Sequence, residues 1–185
     1  ANPKMKVIGL GSVPPVNFRQ LAIGINSNVD GIVDHPYSHK SVPEFIPYPA
    51  TASNLARDGI VVADEQGSFT SLIAKYRAQS EKYKGPKELW LTEWGYSTFQ
   101  PTSPVLFNGY TCDAQAKYLL RRMVQCLGLG IDVSIQYDFK DDGTDLRDAE
   151  QHFGLVDANL KPKPAYDAIK RLTQISPGLH RDASV

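Results

Sequence analysis

The segment E-L-W-L-T-E-W-G-Y-S (88–97) runs through apolar residues and stops on a carboxylate, Glu93, held between a threonine and a tryptophan. A second segment, D-G-I-V-D-H-P-Y (30–37), finishes on His35 and Tyr37, and a third, D-V-S-I-Q-Y-D-F (132–139), on Gln136 and Asp138. A carboxylate at a strand end, with a phenol and an imidazole on the neighbouring strand, is the composition of a buried nucleophile. The hydroxyl keeps the acid ionised and aimed, while aromatic surface, here Trp94, excludes water. Strand side chains alternate between two faces. That puts Val33, His35 and Tyr37 on one face, Leu89, Leu91 and Glu93 on another, and Ser134, Gln136 and Asp138 on a third. Each strand thus starts small or apolar and finishes on a hydrogen-bonding group, at the end where ligands meet parallel sheets.

The rest of the chain must position those ends. Short apolar runs alternate with helical patterns, which indicates an α/β fold with four consecutive parallel strands. The strands are read at 6–13, 30–37, 88–94 and 132–139. Pro14 and Pro15 close the first, and a helix follows in which Phe18, Leu21, Ala22 and Ile25 form one stripe and Asn17 pairs with Gln20 as a cap. A long polar loop then reaches residue 67. Ser68 caps a helix with Phe69, Leu72, Ile73 and Tyr76 on its inner face. A further helix carries Ala116, Leu119, Leu120, Met123, Val124 and Leu127 and stops at Gly128 and Gly130. Pro164 opens the last helix. Residues 1–173 form one domain on this reading, and 174–185 a loose tail.

Composition narrows the function classes. Of 185 residues, 42% are hydrophobic, enough for a sizeable core, and the 20 basic and 20 acidic side chains cancel. A nucleic-acid or anionic-membrane surface calls for a basic excess, so neither partner is expected. No apolar run approaches the roughly 20 residues that span a bilayer. The opening A-N-P-K-M-K-V lacks a secretory leader pattern, and compartment stays open. Cys112 and Cys126, about 21 Å apart on one helix at 1.5 Å per residue, read as two small core-side thiols rather than a disulfide. His35, His39 and Asp34 do not read as a metal site, because Pro36 breaks the helix that such spacing needs. G-L-G-S (9–12) lacks the lysine of a phosphate loop. No metal and no cofactor is expected. Glu44 is a reserve acid in the loop after the second strand, weighed against a plain solvated loop residue, and Glu150 and His152 read as structural.

Taken together, D-G-I-V-D-H-P-Y, L-W-L-T-E-W-G-Y-S and S-I-Q-Y-D-F-K-D-D-G-T-D through A-Y-D-A-I-K-R-L resemble the last strands of the clan A retaining glycoside hydrolases. These are (β/α)8 TIM barrels that include cellulases, mannanases and β-xylosidases. The resemblance covers roughly residues 6–173 and implies strands five to eight, a (βα)4 half-barrel. It implies that Glu93, matching the glutamate that ends strand seven, is the nucleophile. His35 and Tyr37, matching the His-x-Tyr that ends strand six, would contact substrate and support Glu93. Trp94, Tyr96, Gln136 and Asp138 are the remaining candidates for substrate contact. Asp138, Asp141, Asp142 and Asp145 would also structure the loop after the fourth strand. Aromatics in the loops, Tyr48, Trp94, Tyr96, Phe99 and Tyr110, either stack on sugar rings or pack the loops.

Two departures from the family pattern matter. Gln136 stands where relatives commonly have a tryptophan under the sugar. The strand-four acid/base, a glutamate after an asparagine, has no counterpart, because the sequence contains no Asn-Glu pair. Retaining hydrolysis needs two carboxyl groups about 5–5.5 Å apart, so the chain alone is expected to turn over weakly or not at all. Its first and last strands would also be open edges, which proteins avoid. Three arrangements answer this: one part of a longer glycosidase with a missing N-terminal half, two copies closing a barrel about a two-fold axis with the partner's Asp138 nearest to the vacant acid, or a non-catalytic carbohydrate-binding or assembly module. In each the ligand is an oligo- or polysaccharide.

Overall fold

A computed structural model describes residues 2, 4–175 and 178. The chain forms two compact units that interleave in sequence. The first takes the chain up to Tyr37, Glu44–Glu93 and Ile131–Ile135; the second takes Ser38–Pro43, Trp94–Gly130 and Gln136 onward.

The first unit holds the whole sheet. Strands β1 (Ile8–Ser12), β2 (Gly31–Asp34), β3 (Glu88–Leu91) and β4 (Val133–Ser134) run in the order β1-β2-β3-β4, every pair parallel. The α/β class and four consecutive parallel strands expected from the sequence are therefore what the chain adopts. Helix α1 (Pro14–Ile23) lies between β1 and β2 in sequence, and α2 (Ala52–Asp58) and α3 (Phe69–Tyr83) between β2 and β3. Phe18 and Leu21 of α1, Phe69, Leu72, Ile73 and Tyr76 of α3, and Ile32, Leu89 and Leu91 of the strands are buried, and the rings of Phe18 and Tyr76 meet at 4.6 Å. Burying each such side chain contributes about 1.5–3 kcal/mol. Ser68 caps α3 by accepting from the Ser71 amide. Gly31 pairs with Glu88 in register, and its bare α-carbon admits the Trp90 indole, whose Cδ1 would stand 2.8 Å from any β-carbon there.

The second unit contains α4 (Cys112–Gly128) and α5 (Pro164–Ile175), which pack together. Thr111 caps α4 through the Ala114 amide. Tyr96, Tyr110 and Tyr118 meet edge to face at 5.4–5.6 Å. The Gln115 amide donates to the carbonyls of Tyr96, Phe153 and Gly154. Arg122 is fully buried and donates to Ser38 Oγ (2.9 Å) and the Pro43 carbonyl (2.5 Å), which holds the 38–43 segment against α4.

Several expectations need correction. The strands are shorter than their apolar patterns. Register shifts between Gly9 and Ser12 in β1, where Leu10 and Gly11 take positive φ (81° and 21°). β2 ends at Asp34, since Pro36 has no amide hydrogen and the Tyr37 amide turns back onto the His35 carbonyl at 2.9 Å. β4 keeps two residues because the Tyr137 amide goes to the Trp94 carbonyl (2.8 Å) instead of a ladder. Pro14 and Pro15 open α1 rather than close β1, taking the first-turn positions where a missing amide costs nothing. Asn17 is consequently inside the helix, not a cap. The 38–67 stretch holds the unanticipated α2, capped by Thr51. On α4 the buried stripe is Gln115, Ala116, Leu119, Arg122 and Cys126; Val124 faces out, and Cys112, at the first helical position, is exposed. The expected tail begins inside α5, and most of it lies outside the described residues.

Candidate functional site

The residues just past the ends of β2 and β3 converge in the first unit. The register places Asp34 opposite Leu91, and the Thr92 amide carries the ladder one step further by donating to the Asp34 carbonyl (3.3 Å). This sets His35 beside Thr92, with His35 Nε2 and Thr92 Oγ1 2.8 Å apart. The turn at Pro36 then brings Tyr37 over Glu93, so that the phenol donates to Glu93 Oε2 at 3.2 Å. His35 Nδ1 stands 3.5 Å from the same oxygen. Both contacts fall on Oε2, and among the described residues no hydrogen bond reaches Oε1. The phenol and the imidazole together orient the Glu93 carboxylate through one of its oxygens.

β2 itself is anchored from below. Asn17, fully buried, exchanges hydrogen bonds with the Ser12 backbone, donates to the Val33 carbonyl (3.1 Å) and reaches the Tyr76 hydroxyl (2.9 Å). Burial and the nearby Asp34 charge hold the Tyr76 phenol well above its ordinary range, so it stays protonated. One amide therefore ties β1, β2 and α3 together beneath the strand whose extension carries His35 and Tyr37. Glu93 differs from the enclosed acid expected: its side chain is 42% exposed and that of His35 34%. The carboxylate stands past the last ladder residue of β3, beyond the buried pair Leu89 and Leu91.

The other candidates belong to the second unit. Trp94 (1% exposed) and Tyr96 (3%) are buried, Tyr96 among Tyr110 and Tyr118 with its hydroxyl 3.5 Å from Ser38 Oγ. Their rings serve as packing, and neither presents an open face to a sugar in this structure. Gln136 and Asp138 meet on one acceptor: the Gln136 side-chain amide (3.5 Å) and the Asp138 backbone amide (3.4 Å) both donate to the Phe153 carbonyl. Burial pushes the Asp138 carboxyl up to about 6, helped by the Asp142 and Asp141 charges and opposed by Lys163. Asp141 is buried and accepts from Lys163 Nζ (2.6 Å) and the Gly154 amide (2.9 Å), with His152 Nδ1 at 3.4 Å. His152 Nε2 in turn donates to the Asp145 carbonyl (2.9 Å). Glu44 contributes its backbone carbonyl to the Phe69 amide.

Sequence reasoning passed over Thr92 and Lys163 and took Asn17 for a helix cap. Thr92 carried a signal, since it sits one position before Glu93 on a strand whose neighbour ends in histidine. Lys163 sits between two prolines, and nothing in that spacing marks it as the cation that neutralises Asp141. Among the described residues, no group of three or more His, Cys, Asp or Glu is arranged to hold a metal ion, and no helix is long and apolar enough to cross a membrane.

No family profile and no curated protein matches the sequence. Solved structures do. A family 39 glycoside hydrolase from the gut symbiont Bacteroides cellulosilyticus WH2 superposes with a TM-score of 0.70 at 22% identity, over 91% of this chain and 33% of that one. A family 39 β-xylosidase from Caulobacter crescentus gives 0.52 at 20% identity, over 94% and 33%. A family 39 enzyme from Xanthomonas axonopodis pv. citri gives 0.50 at 21% identity, with the same coverage of 94% and 33%. At these identities the likeness speaks for the fold, and it has a definite extent: the chain folds like one third of the length of family 39 glycoside hydrolases.

Proposed function

We propose that this chain is the C-terminal half of the barrel of a retaining glycoside hydrolase acting on β-linked carbohydrate, with Glu93 as the nucleophile. The observation that carries the reading is the convergence of Tyr37 Oη and His35 Nδ1 on Glu93 Oε2. In the proposed step the carboxylate attacks the anomeric carbon, the glycosidic bond breaks, and a glycosyl ester forms on Glu93. Tyr37 keeps the carboxylate aimed before attack. A water later cleaves the ester and returns the carboxylate. Trp94 and Tyr96 are buried, so no stacking on sugar is proposed for them.

The leaving oxygen needs a proton from a second carboxyl group, and the Asn-Glu pair that would supply it is absent. We assign that group to the partner that completes the barrel. β1 and β4 are the outer strands of the sheet, and Met5, Val7 and Val13 expose apolar surface beside β1. An N-terminal half-barrel would cover both edges, and a second copy of this chain is the competing occupant. Size-exclusion chromatography with light scattering tests the second copy: a dimer selects it, and a monomer rules it out.

Labelling tests the reading. An activated 2-deoxy-2-fluoro-β-glycoside, incubated with the chain and with its completed assembly, should add one sugar mass to the peptide bearing Glu93, and Glu93→Gln should abolish the adduct. Saturable oligosaccharide binding without any adduct in the completed assembly would select the carbohydrate-binding module instead.

A further inference from the structure

We propose that Thr92 is a positioning residue whose hydroxyl holds the His35 ring in the orientation that turns Nδ1 toward Glu93. The inference deepens the nucleophile reading of Glu93 and rests on it for its functional meaning, though not for its test. Neutral imidazole has one donor and one acceptor nitrogen. An ionised carboxylate only accepts, so Nδ1 must carry the hydrogen if it is to support Oε2, and Nε2 must then accept. Thr92 Oγ1, 2.8 Å from Nε2, is the group that donates to it. In the opposite tautomer Nε2–H would point at the hydroxyl and the Nδ1 lone pair would face the Glu93 carboxylate, two electron-rich groups opposed.

The two distances decide which contact sets the ring. The Thr92 contact at 2.8 Å is a full hydrogen bond, while the 3.5 Å approach to Glu93 is at the outer limit of one. Thr92 therefore fixes the imidazole and Glu93 receives what that orientation presents. The hydroxyl is well placed to do so, because the Thr92 amide is held on the Asp34 carbonyl and a β-branched side chain has few rotamers. Orientation of a ligating or catalytic histidine by the group on its other nitrogen is a general device.

The test is 15N–1H correlation spectroscopy of the histidine rings in the resting protein at pH 8, with His35 assigned by His35→Gln. The expected result is a protonated Nδ1 and an acceptor-type Nε2 for His35. Thr92→Val should release the ring, shifting and broadening the Nδ1–H signal, and Thr92→Ser should restore the native pattern. A native His35 already in the Nε2–H form overturns the proposal, and so does a pattern unchanged in Thr92→Val. If Thr92→Val fails to fold, the wild-type tautomer and Thr92→Ala decide between the same two outcomes. No turnover is involved, so an unreactive Glu93 would sink the nucleophile reading and leave the Thr92 result standing.

Discussion

Two buried clusters, one in each unit, hold their polar groups in opposite ways. The first places a neutral amide, Asn17, among a backbone carbonyl, the Ser12 backbone and the Tyr76 phenol. The second places full charges, Asp141 and Lys163, 2.6 Å apart with His152 alongside. Lys163 also donates to Thr98 Oγ1 (3.1 Å) and the His152 carbonyl (3.4 Å), so three acceptors share its ammonium. Neutral hydrogen bonds cost little to bury and return little each; a charge is costly to desolvate and stays buried only while its partner stays. The first arrangement is tolerant of perturbation, and the second is not.

Removing one charge gives the largest expected effect. Lys163→Met leaves Asp141 with the Gly154 amide and His152, and should lower stability by about 3–5 kcal/mol in urea unfolding. The double variant Asp141→Asn/Lys163→Met should recover a large part of that loss; if it does not, the contrast between the units fails. Asn17→Leu, which removes one partner each from the Val33 carbonyl and the Tyr76 hydroxyl, should cost less, about 1–3 kcal/mol on the same measurement.

The second unit should also carry a pH dependence. Asp138 has a folded-state value of about 6, above the roughly 3.9 of a free aspartate. Its proton therefore favours the folded state: the stabilisation is complete below about pH 4 and is lost as pH rises through 6. Urea midpoints should accordingly fall across that window in the wild type, and less so in Asp138→Asn. The smallest effect is reserved for the surface of the second unit: Cys112→Ser should change stability by under about 0.5 kcal/mol. A maleimide should modify native Cys112 promptly and buried Cys126 only on unfolding.

Much of the strand order was legible because each strand is an apolar run of its own, and because parallel strands put their functional groups at one end. His35, Tyr37 and Glu93 were legible by alternation even though all three lie past the residues that pair in the sheet; the chain keeps its direction for one or two residues after the ladder stops. What stayed hidden depends on distance rather than on neighbours in sequence. Asn17 matches a local capping rule, but its partners Val33 and Tyr76 lie 16 and 59 residues away. Arg122 sits on the buried stripe of α4, where periodicity alone assigns a hydrophobe, because Ser38 and Pro43 arrive to receive it. The exposure of Glu93 was equally invisible, since sequence alternation tells which face a side chain takes and not what covers it.

The vacancy at Gly31 that admits the Trp90 indole has an optical consequence. The chain has two tryptophans, Trp90 and Trp94, and they flank Glu93 at distances of three residues and one. Tryptophan emission therefore comes wholly from the segment that carries the proposed nucleophile. Any side chain larger than hydrogen at position 31 would displace one of those two fluorophores and shift the spectrum, which makes unmodified protein its own reporter for this strand.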